Sequence, residues 1–323
     1  MKIAVVLFNL GGPDSPEAVR PFLTNLFSDP AIITLPWILR APLARLIAHR
    51  RAPVAKAIYD HIGGRSPILE ETRKQADALE IALREEGIQA RAFIAMRYWH
   101  PFSDGAARDV KAFGPDKIVL LPLYPQFSTT TTGSSLKDWH RAARKAGLDA
   151  PCHEIRCYPC DDGFVRAMAA RIRETLGNVD MKKWRLLLSA HGLPRKIIEK
   201  GDPYQQQVEQ SAAAIVEALG ITGLNWQVCY QSRVGPLEWI GPATDAEIRR
   251  AGADGKNVIV APLAFVSEHS ETLVELDIEY AKLARQSGVR DYRRAATVGT
   301  HPAFIAGLAG LVRGGGQRAK GAG

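Results

Sequence analysis

Three groups of side chains have types and spacings that could do chemistry. The first is His191, in the run Leu186-Leu187-Leu188-Ser189-Ala190-His191-Gly192-Leu193-Pro194. A neutral imidazole accepts a proton or coordinates a divalent metal, and Gly192 leaves backbone room beside it. The second is the acidic stretch Ser267-Glu268-His269-Ser270-Glu271, with Glu275 beyond it. Spacings of three and four would put Glu268, Glu271 and Glu275 on one helical stripe, with His269 beside it. A helix dipole favours acids in the first turn, which accounts for Glu268 and Glu271 but less well for Glu275. An acid row running inward from a pocket could instead pass protons or a metal ion. The third group is Cys152, Cys157 and Cys160, spaced C-x4-C-x2-C, with Cys229 far downstream and no further cysteine. That local spacing matches the plant-type ferredoxin arrangement for a [2Fe-2S] cluster. A zinc site and unrelated thiols stay open as alternatives, and Cys229 also reads as a buried strand residue.

The elements that must position these groups follow from the apolar runs. Leu186 to Leu188 reads as a buried parallel strand, so His191 lies just past a carboxyl end, the rim where open α/β sheets bind ligands. Val258 to Val266 repeats that architecture ahead of the acids, which are expected to open a helix. Strand-like runs recur at 3–8, 91–95, 117–123, 185–190, 226–229 and 257–263 with helical stretches between them. This alternation predicts parallel sheets with crossover helices, and 323 residues suit two α/β domains of about 150 residues each. The boundary is expected near 160–165, and the glycine-rich tail from Gly314 is expected to fray. A nucleotide-using Rossmann enzyme is disfavoured, because Gly11-Gly12-Pro13 stands where G-x-G-x-x-G would follow the first strand.

With 46% hydrophobic and 24% charged residues the chain is globular, and its formal charge of +8 favours an acidic partner such as a carboxylate-bearing ligand or anionic lipid. Nucleic acid is not expected: there is no lysine-rich arm, zinc-finger spacing or aromatic RNA-binding signature. The apolar run at Met1–Phe8 is short, lacks a small-residue cleavage site and reads as the first strand. No apolar segment reaches the roughly 18 residues of a membrane span, so the expected location is cytoplasmic, where structural disulfides are not expected. Between Thr34 and Pro53, Trp37, Ile38, Leu39, Leu43, Leu46 and Ile47 alternate with Arg40, Arg45, Arg50 and Arg51, and prolines 36, 42 and 53 are expected to cut the segment into short pieces. It is either an amphipathic helix packed on its own domain or an exposed lip that grips an apolar ligand or touches a membrane. Gly63-Gly64-Arg65-Ser66 could offer backbone N–H groups to an anion, but it lacks the Lys-Ser/Thr of a P-loop. Arg97-Tyr98-Trp99-His100-Pro101 and the run Leu121 to Ser135 add aromatics and hydroxyls to the rim.

The ordered set NLGGPDSPEAVRPFL, IGGRSPI, FIAMRYWHP, YPQFSTTTTGSS, SAHGLP, GDPY, QSRVGPLEWIGP and PLAFVSEHSETLVELDIEY resembles the ferrochelatases, which insert ferrous iron into a porphyrin to complete haem. The resemblance spans residues 3–305. It implies the chelatase fold, an α/β architecture of two Rossmann-like domains, each a parallel sheet flanked by helices, with porphyrin in a cleft between them. The implied domains are 1–163 with a porphyrin lip, 164–305 carrying His191 and Glu271, and 306–323 as a C-terminal helix and tail. The family's active-site histidine falls on His191 and its essential glutamate on Glu271, with His269 and Glu275 beside it; both His191 and Glu271 would meet the substrate Fe²⁺. Residues resembling the porphyrin contacts are Arg51, Tyr59, Ser66, Tyr124, Ser232 and Trp239, of which Arg51, Tyr59, Ser66 and Ser232 would hold propionates. Asn9-Leu10-Gly11-Gly12-Pro13 and the long apolar lip resemble the protoporphyrin-using branch more than the coproporphyrin-using one, so protoporphyrin IX is the expected substrate. A non-catalytic tetrapyrrole carrier would use the same cleft. Animal members carry a C-terminal cysteine cluster plus an internal cysteine; here Thr129 stands at the internal position. Some bacterial members build a cluster from other cysteines, which would implicate Cys152, Cys157, Cys160 and Cys229. Peripheral contact of residues 34–51 with the inner face of a membrane is expected, and the oligomeric state stays open.

Overall fold

The computed structural model describes residues 1–314, apart from Val234 and Pro236; the tail expected to fray from Gly314 lies, after that residue, outside the described residues. Every residue of β1 (Lys2–Asn9) after Lys2 is buried, because its continuous apolar run is covered on both faces. It pairs in parallel with β2 (Gln89–Met96) and β3 (Lys117–Pro122), in registers such as Val6↔Phe93 and Val6↔Leu120. A short strand, β4 (Cys152–Glu154), completes the order β2-β1-β3-β4. The second sheet repeats the plan. β5 (Trp184–His191) is central between β6 (Trp226–Gln231) and β7 (Asn257–Pro262), and β8 (Tyr292–Arg294) lies outside β7, giving the parallel order β6-β5-β7-β8. The edge strands β4 and β8, Cys-His-Glu and Tyr-Arg-Arg, carry no apolar run, which is why the hydrophobic pattern passes over them.

The first sheet is accompanied by α1 (Val19–Phe27), α2 (Trp37–Asp60), α3 (Ile68–Glu85), α4 (Ser103–Phe113) and α5 (Thr132–Ala146). With the second go α6 (Asp162–Leu176), α7 (Arg195–Glu199), α8 (Tyr204–Leu219), α9 (Thr244–Ala253) and a π-helical run Glu271–Glu279 continuing into α10 (Tyr280–Gln286), whereas α11 (Pro302–Gly314) belongs from Ile305 onward with the first. Two units result: one holds Met1–Tyr124, Ser128–Tyr158 and the chain from Ile305, and the other holds Pro125–Phe127 and Pro159–Phe304. In the first, Val6, Phe8, Phe93, Leu120 and Trp139 share one core cluster; in the second, Leu187, Ile248, Val258, Val260 and Leu276 do. Each such side chain contributes about 1.5–3 kcal/mol by burial, so the sheets are rigid mounts for their rim loops.

The 34–53 segment departs from expectation. Pro42 and Pro53 do not cut it; both lie inside the single helix α2. Each sits on the exposed side, as do Ile38 and His49, whose carbonyls lose their helical partners and face water instead. The buried residues of α2 are Ala44, Ala48, Ala52 and Tyr59, while Trp37, Ile38, Leu39 and Val54 are more than half exposed. The helix therefore packs one face on its own domain, where Ala48, Ala52 and Tyr59 join Val19, Phe22 and Leu23, and leaves an apolar N-terminal turn exposed. No helix among the described residues is long and apolar enough to cross a membrane.

Candidate active site

The second sheet brings His191 and Glu271 together. His191 is the last residue of β5, in register with Gln231 at the end of β6, so the imidazole stands at the carboxyl rim of the sheet. Its Nδ1 lies 2.8 Å from Glu271 Oε2. Tyr204, from the Gly-Asp-Pro-Tyr motif, donates its hydroxyl to the His191 carbonyl at 3.0 Å. Gly192 N–H donates to Gln231 O at 2.8 Å, and a Cβ on Gly192 would meet that oxygen at 3.0 Å and Trp239 at 3.3 Å. The glycine therefore gives a close approach to Gln231 and Trp239 rather than open room.

Glu271 and Glu275 are joined by residues at the end of β6. Ser232 Oγ lies 3.0 Å from Glu271 Oε2 and 2.5 Å from Glu275 Oε2, and Ser232 N–H donates to Glu275 Oε1 at 2.8 Å. Ser232 holds φ at 61°, the left-handed region that costs a residue with a Cβ about 1–2 kcal/mol, and this conformation accompanies the two-carboxylate contact. Gln231 donates Nε2 to Glu275 Oε2 at 3.1 Å, while its Oε1 accepts from the buried Ser189 hydroxyl at 2.8 Å, which sets the amide's orientation. Tyr280 OH donates to Glu275 Oε1 at 3.0 Å.

The electrostatics divide the two acids. Burial alone would raise the Glu271 pKa, but the His191 charge and its hydrogen bond outweigh it and bring the group down to about 2. Burial works against a charge on His191, yet Glu271 and then Glu275 lift its pKa above the ordinary 6.5. Glu275 is pushed upward, first by burial and then by the Glu271 charge. A hydroxyl has one proton, so Ser232 can donate to only one of two carboxylates; a proton on Glu275 satisfies the second contact. Burial lowers the pKa of His269, which is 8% exposed. Glu268 leaves the expected acid row: its Oε1 accepts from Arg294 Nη1 at 2.8 Å. The expected stripe assumes 3.6 residues per turn, but the segment begins in a loop and then takes the wider π-helical turn.

The remaining expected positions are found separately in the two units. In the first, the Arg51 guanidinium lies 5.9 Å from the Phe27 ring centroid, Tyr59 is buried on α2, and Ser66 N–H donates to Pro13 O at 2.7 Å. A Cβ on Gly12 would stand 2.5 Å from Ser66 Cβ, so the Gly-Gly-Pro turn is cut to receive that serine. Tyr124 OH is buried without a hydrogen-bond partner, and burial raises its pKa. In the second unit, Trp239 bridges Pro194 and its indole N–H also lacks a partner. The sequence alone gives no site role to Gln231, Tyr204, Tyr280 and Arg294; the first three stand in the motifs QSRVGPLEWIGP, GDPY and PLAFVSEHSETLVELDIEY, and Arg294 stands in none.

A family model described as ferrochelatase matches residues 2–315. A ferrochelatase of Caulobacter vibrioides is 58% identical over 315 residues, covering 97% of this chain and 90% of the relative. The chain belongs to the ferrochelatase family. A ferrochelatase of Wolbachia sp. subsp. Drosophila simulans is 50% identical over 315 residues, covering 96% and 98% of the two chains. The crystal structure of a sirohydrochlorin chelatase from Bacillus subtilis subspecies spizizenii, in complex with cobalt, covers 99% of this chain and 97% of its own with a TM-score of 0.57 at 13% identity, a likeness of fold.

The cysteines do not fit the expected [2Fe-2S] cluster. Cys229 is fully buried in the core cluster with Leu187, Val258 and Val260; burial pushes its thiol up to about 12, and its Sγ lies 3.9 Å from Leu188 O. A cluster ligand must face the metal, and this sulfur is enclosed by apolar side chains of the core. Cys152 and Cys157 fall in the first unit and Cys160 in the second. Among the described residues, no group of three or more His, Cys, Asp and Glu side chains could hold a metal ion.

Proposed function

We propose that this chain inserts Fe²⁺ into protoporphyrin IX to form haem, with His191 and Glu271 as its reacting pair. The observation that carries this reading is the 2.8 Å contact of His191 Nδ1 with Glu271 Oε2, at a sheet rim in a member of the ferrochelatase family. Insertion exchanges one Fe²⁺ for two pyrrole N–H protons. A flat macrocycle keeps its nitrogen lone pairs in plane, so the protein must bend the ring and accept the protons. With Nδ1–H donated to Glu271, neutral His191 has Nε2 free to accept, and the carboxylate strengthens that base and fixes the ring. Its raised pKa means that the pair, rather than a lone imidazole, governs proton uptake. Ser232 and Glu275 offer an onward path, since the Ser232 hydroxyl meets both carboxylates. One imidazole and one carboxylate grip Fe²⁺ with fewer ligands than a storage site would use, which suits an ion that must move on into the ring.

On this reading Arg51, Tyr59 and Ser66, all in the first unit, serve the propionates. Ser232 serves the acids instead, because its hydroxyl and amide are already committed to them. The exposed Trp37, Ile38 and Leu39 suit contact with porphyrin or with the inner face of a membrane from the cytoplasm. No step runs through an iron–sulfur cluster.

The test is anaerobic: mix the protein with Fe²⁺ and protoporphyrin IX and follow porphyrin loss and haem absorbance, with coproporphyrin III in parallel. Haem from protoporphyrin IX supports the reading. Porphyrin binding without insertion would make the protein a carrier, and a preference for coproporphyrin III would assign it to the other branch.

A further inference from the structure

The two carboxylates stand on a turn wider than an α-helix, and such a turn is uncommon unless neighbours support it. At its end Tyr280 N–H reaches back to Glu275 O, the long π-type bond. Support comes from β8. Tyr292 OH donates to Leu276 O at 2.8 Å. Arg294 makes a fork on Asp277, with Nε donating to Oδ1 at 2.6 Å and Nη2 to Oδ2 at 2.9 Å, while its Nη1 donates to Glu268 Oε1 at 2.8 Å. Glu268 Oε1 also accepts from Thr297 N–H at 2.9 Å. Glu268 comes three residues before Glu271, and Asp277 two residues after Glu275. One guanidinium thus joins the two ends of the segment that carries both acids. The Arg294 side chain is only 13% exposed, and a largely buried set of charges adds little net stability; its distinctive effect is to fix geometry.

We propose that Arg294 is a positioning residue for Glu271 and Glu275, closing both ends of the π-helical segment onto β8 and so setting where the two carboxylates stand beside His191. It acts through Glu268 and Asp277 and touches neither acid. The inference rests on the reading of Glu271 and Glu275 as acting groups. Arginine is required because a planar fork can satisfy a bidentate carboxylate and a second acid at once, whereas a lysine ammonium is a single point of charge on a flexible stem.

Arg294→Lys, Asp277→Asn and Glu271→Gln, compared with the parent chain for haem formation, porphyrin binding by fluorescence and thermal midpoint, test this. Arg294→Lys is expected to lower kcat by about tenfold or more, since small misplacements of reacting groups are costly, while KM and Kd for porphyrin stay nearly unchanged. Asp277→Asn, which leaves the Glu268 contact in place, should lower kcat in the same sense by a smaller factor, and it carries the test if Arg294→Lys does not fold. Unchanged kcat in these variants would overturn the proposal. So would a loss of kcat and porphyrin affinity together, in step with a loss of folded protein. Glu271→Gln separates the two ideas: if it is inactive while Arg294→Lys is normal, positioning alone fails, and if it keeps full turnover, the reading of the carboxylates fails and the proposal with it.

Discussion

The two sheets share a strand order, and the chain leaves their central strands alike: through Leu10-Gly11-Gly12-Pro13 at the end of β1 and through His191-Gly192-Leu193-Pro194 at the end of β5. Counted from the pairs Phe8↔Pro122 and Ser189↔Pro262, Leu10 stands where His191 stands and Arg97 where Gln231 stands. The loops after β3 and β7 diverge more. The first leads through hydroxyls into the ordinary helix α5, and the second leads through acids into a π-helical turn. Both units bury a carboxylate near these loops. In the first unit, Asp29 Oδ2 accepts from Tyr98 OH and Arg97 Nη2, each at 2.8 Å, and from Ser134. In the second, Glu271 Oε2 is paired with His191 Nδ1 at 2.8 Å. An arginine never yields its proton, whereas a histidine does so near neutral pH, so one scaffold carries a fixed charge pair in one unit and an exchangeable one in the other.

Removing the exchangeable partner should have the largest effect. His191→Ala is expected to lower haem formation by about 10²–10⁴-fold, the range of a general base, while fluorescence titration finds porphyrin affinity largely intact. Glu271→Gln should follow, and its pH profile sharpens the point. Turnover requires an unprotonated Nε2, so it falls as pH drops through the His191 pKa, which lies above 6.5 in the parent chain. Removing the Glu271 charge takes away what raises that pKa, so the acid limb should move to lower pH, and an unmoved limb would break the coupling. On the other side of the comparison, Asp29→Asn strips the charge from the buried side of the Asp29–Arg97 pair. Urea unfolding should reveal a loss of about 3 kcal/mol or more, with turnover per folded molecule nearly unchanged. The smallest effect separates backbone from hydroxyl at Ser232. Ser232→Gly and Ser232→Ala should lower turnover alike, but the alanine variant should be less stable by about 1 kcal/mol, because glycine accepts a φ of 61° without strain.

The chemistry was legible where it is local in sequence. Central strands announced themselves as apolar runs, and a histidine or acid placed just past a strand end was bound to reach the rim. What escaped is held together at a distance. Ser232 meets Glu275 across 43 positions, and Arg294 meets Glu268 across 26. The cysteine spacing misled because three thiols close in sequence suggested a fourth, whereas the strand context of Cys229, which already reads as buried, gave its true place in the core. The stripe of acids was drawn with the wrong period, since a π-helical turn leaves no mark in a pattern read at 3.6 residues per turn.

The alanine seam of α2 has a consequence for motion. Ala44, Ala48 and Ala52 are buried by their methyl groups, each worth about 0.8 kcal/mol, with Tyr59 anchoring the far end. Lifting the first half of the helix thus costs far less than unfolding the unit. Its backbone amides should exchange with heavy water through that local opening, ahead of α3, where Ile68, Leu79 and Leu83 are buried.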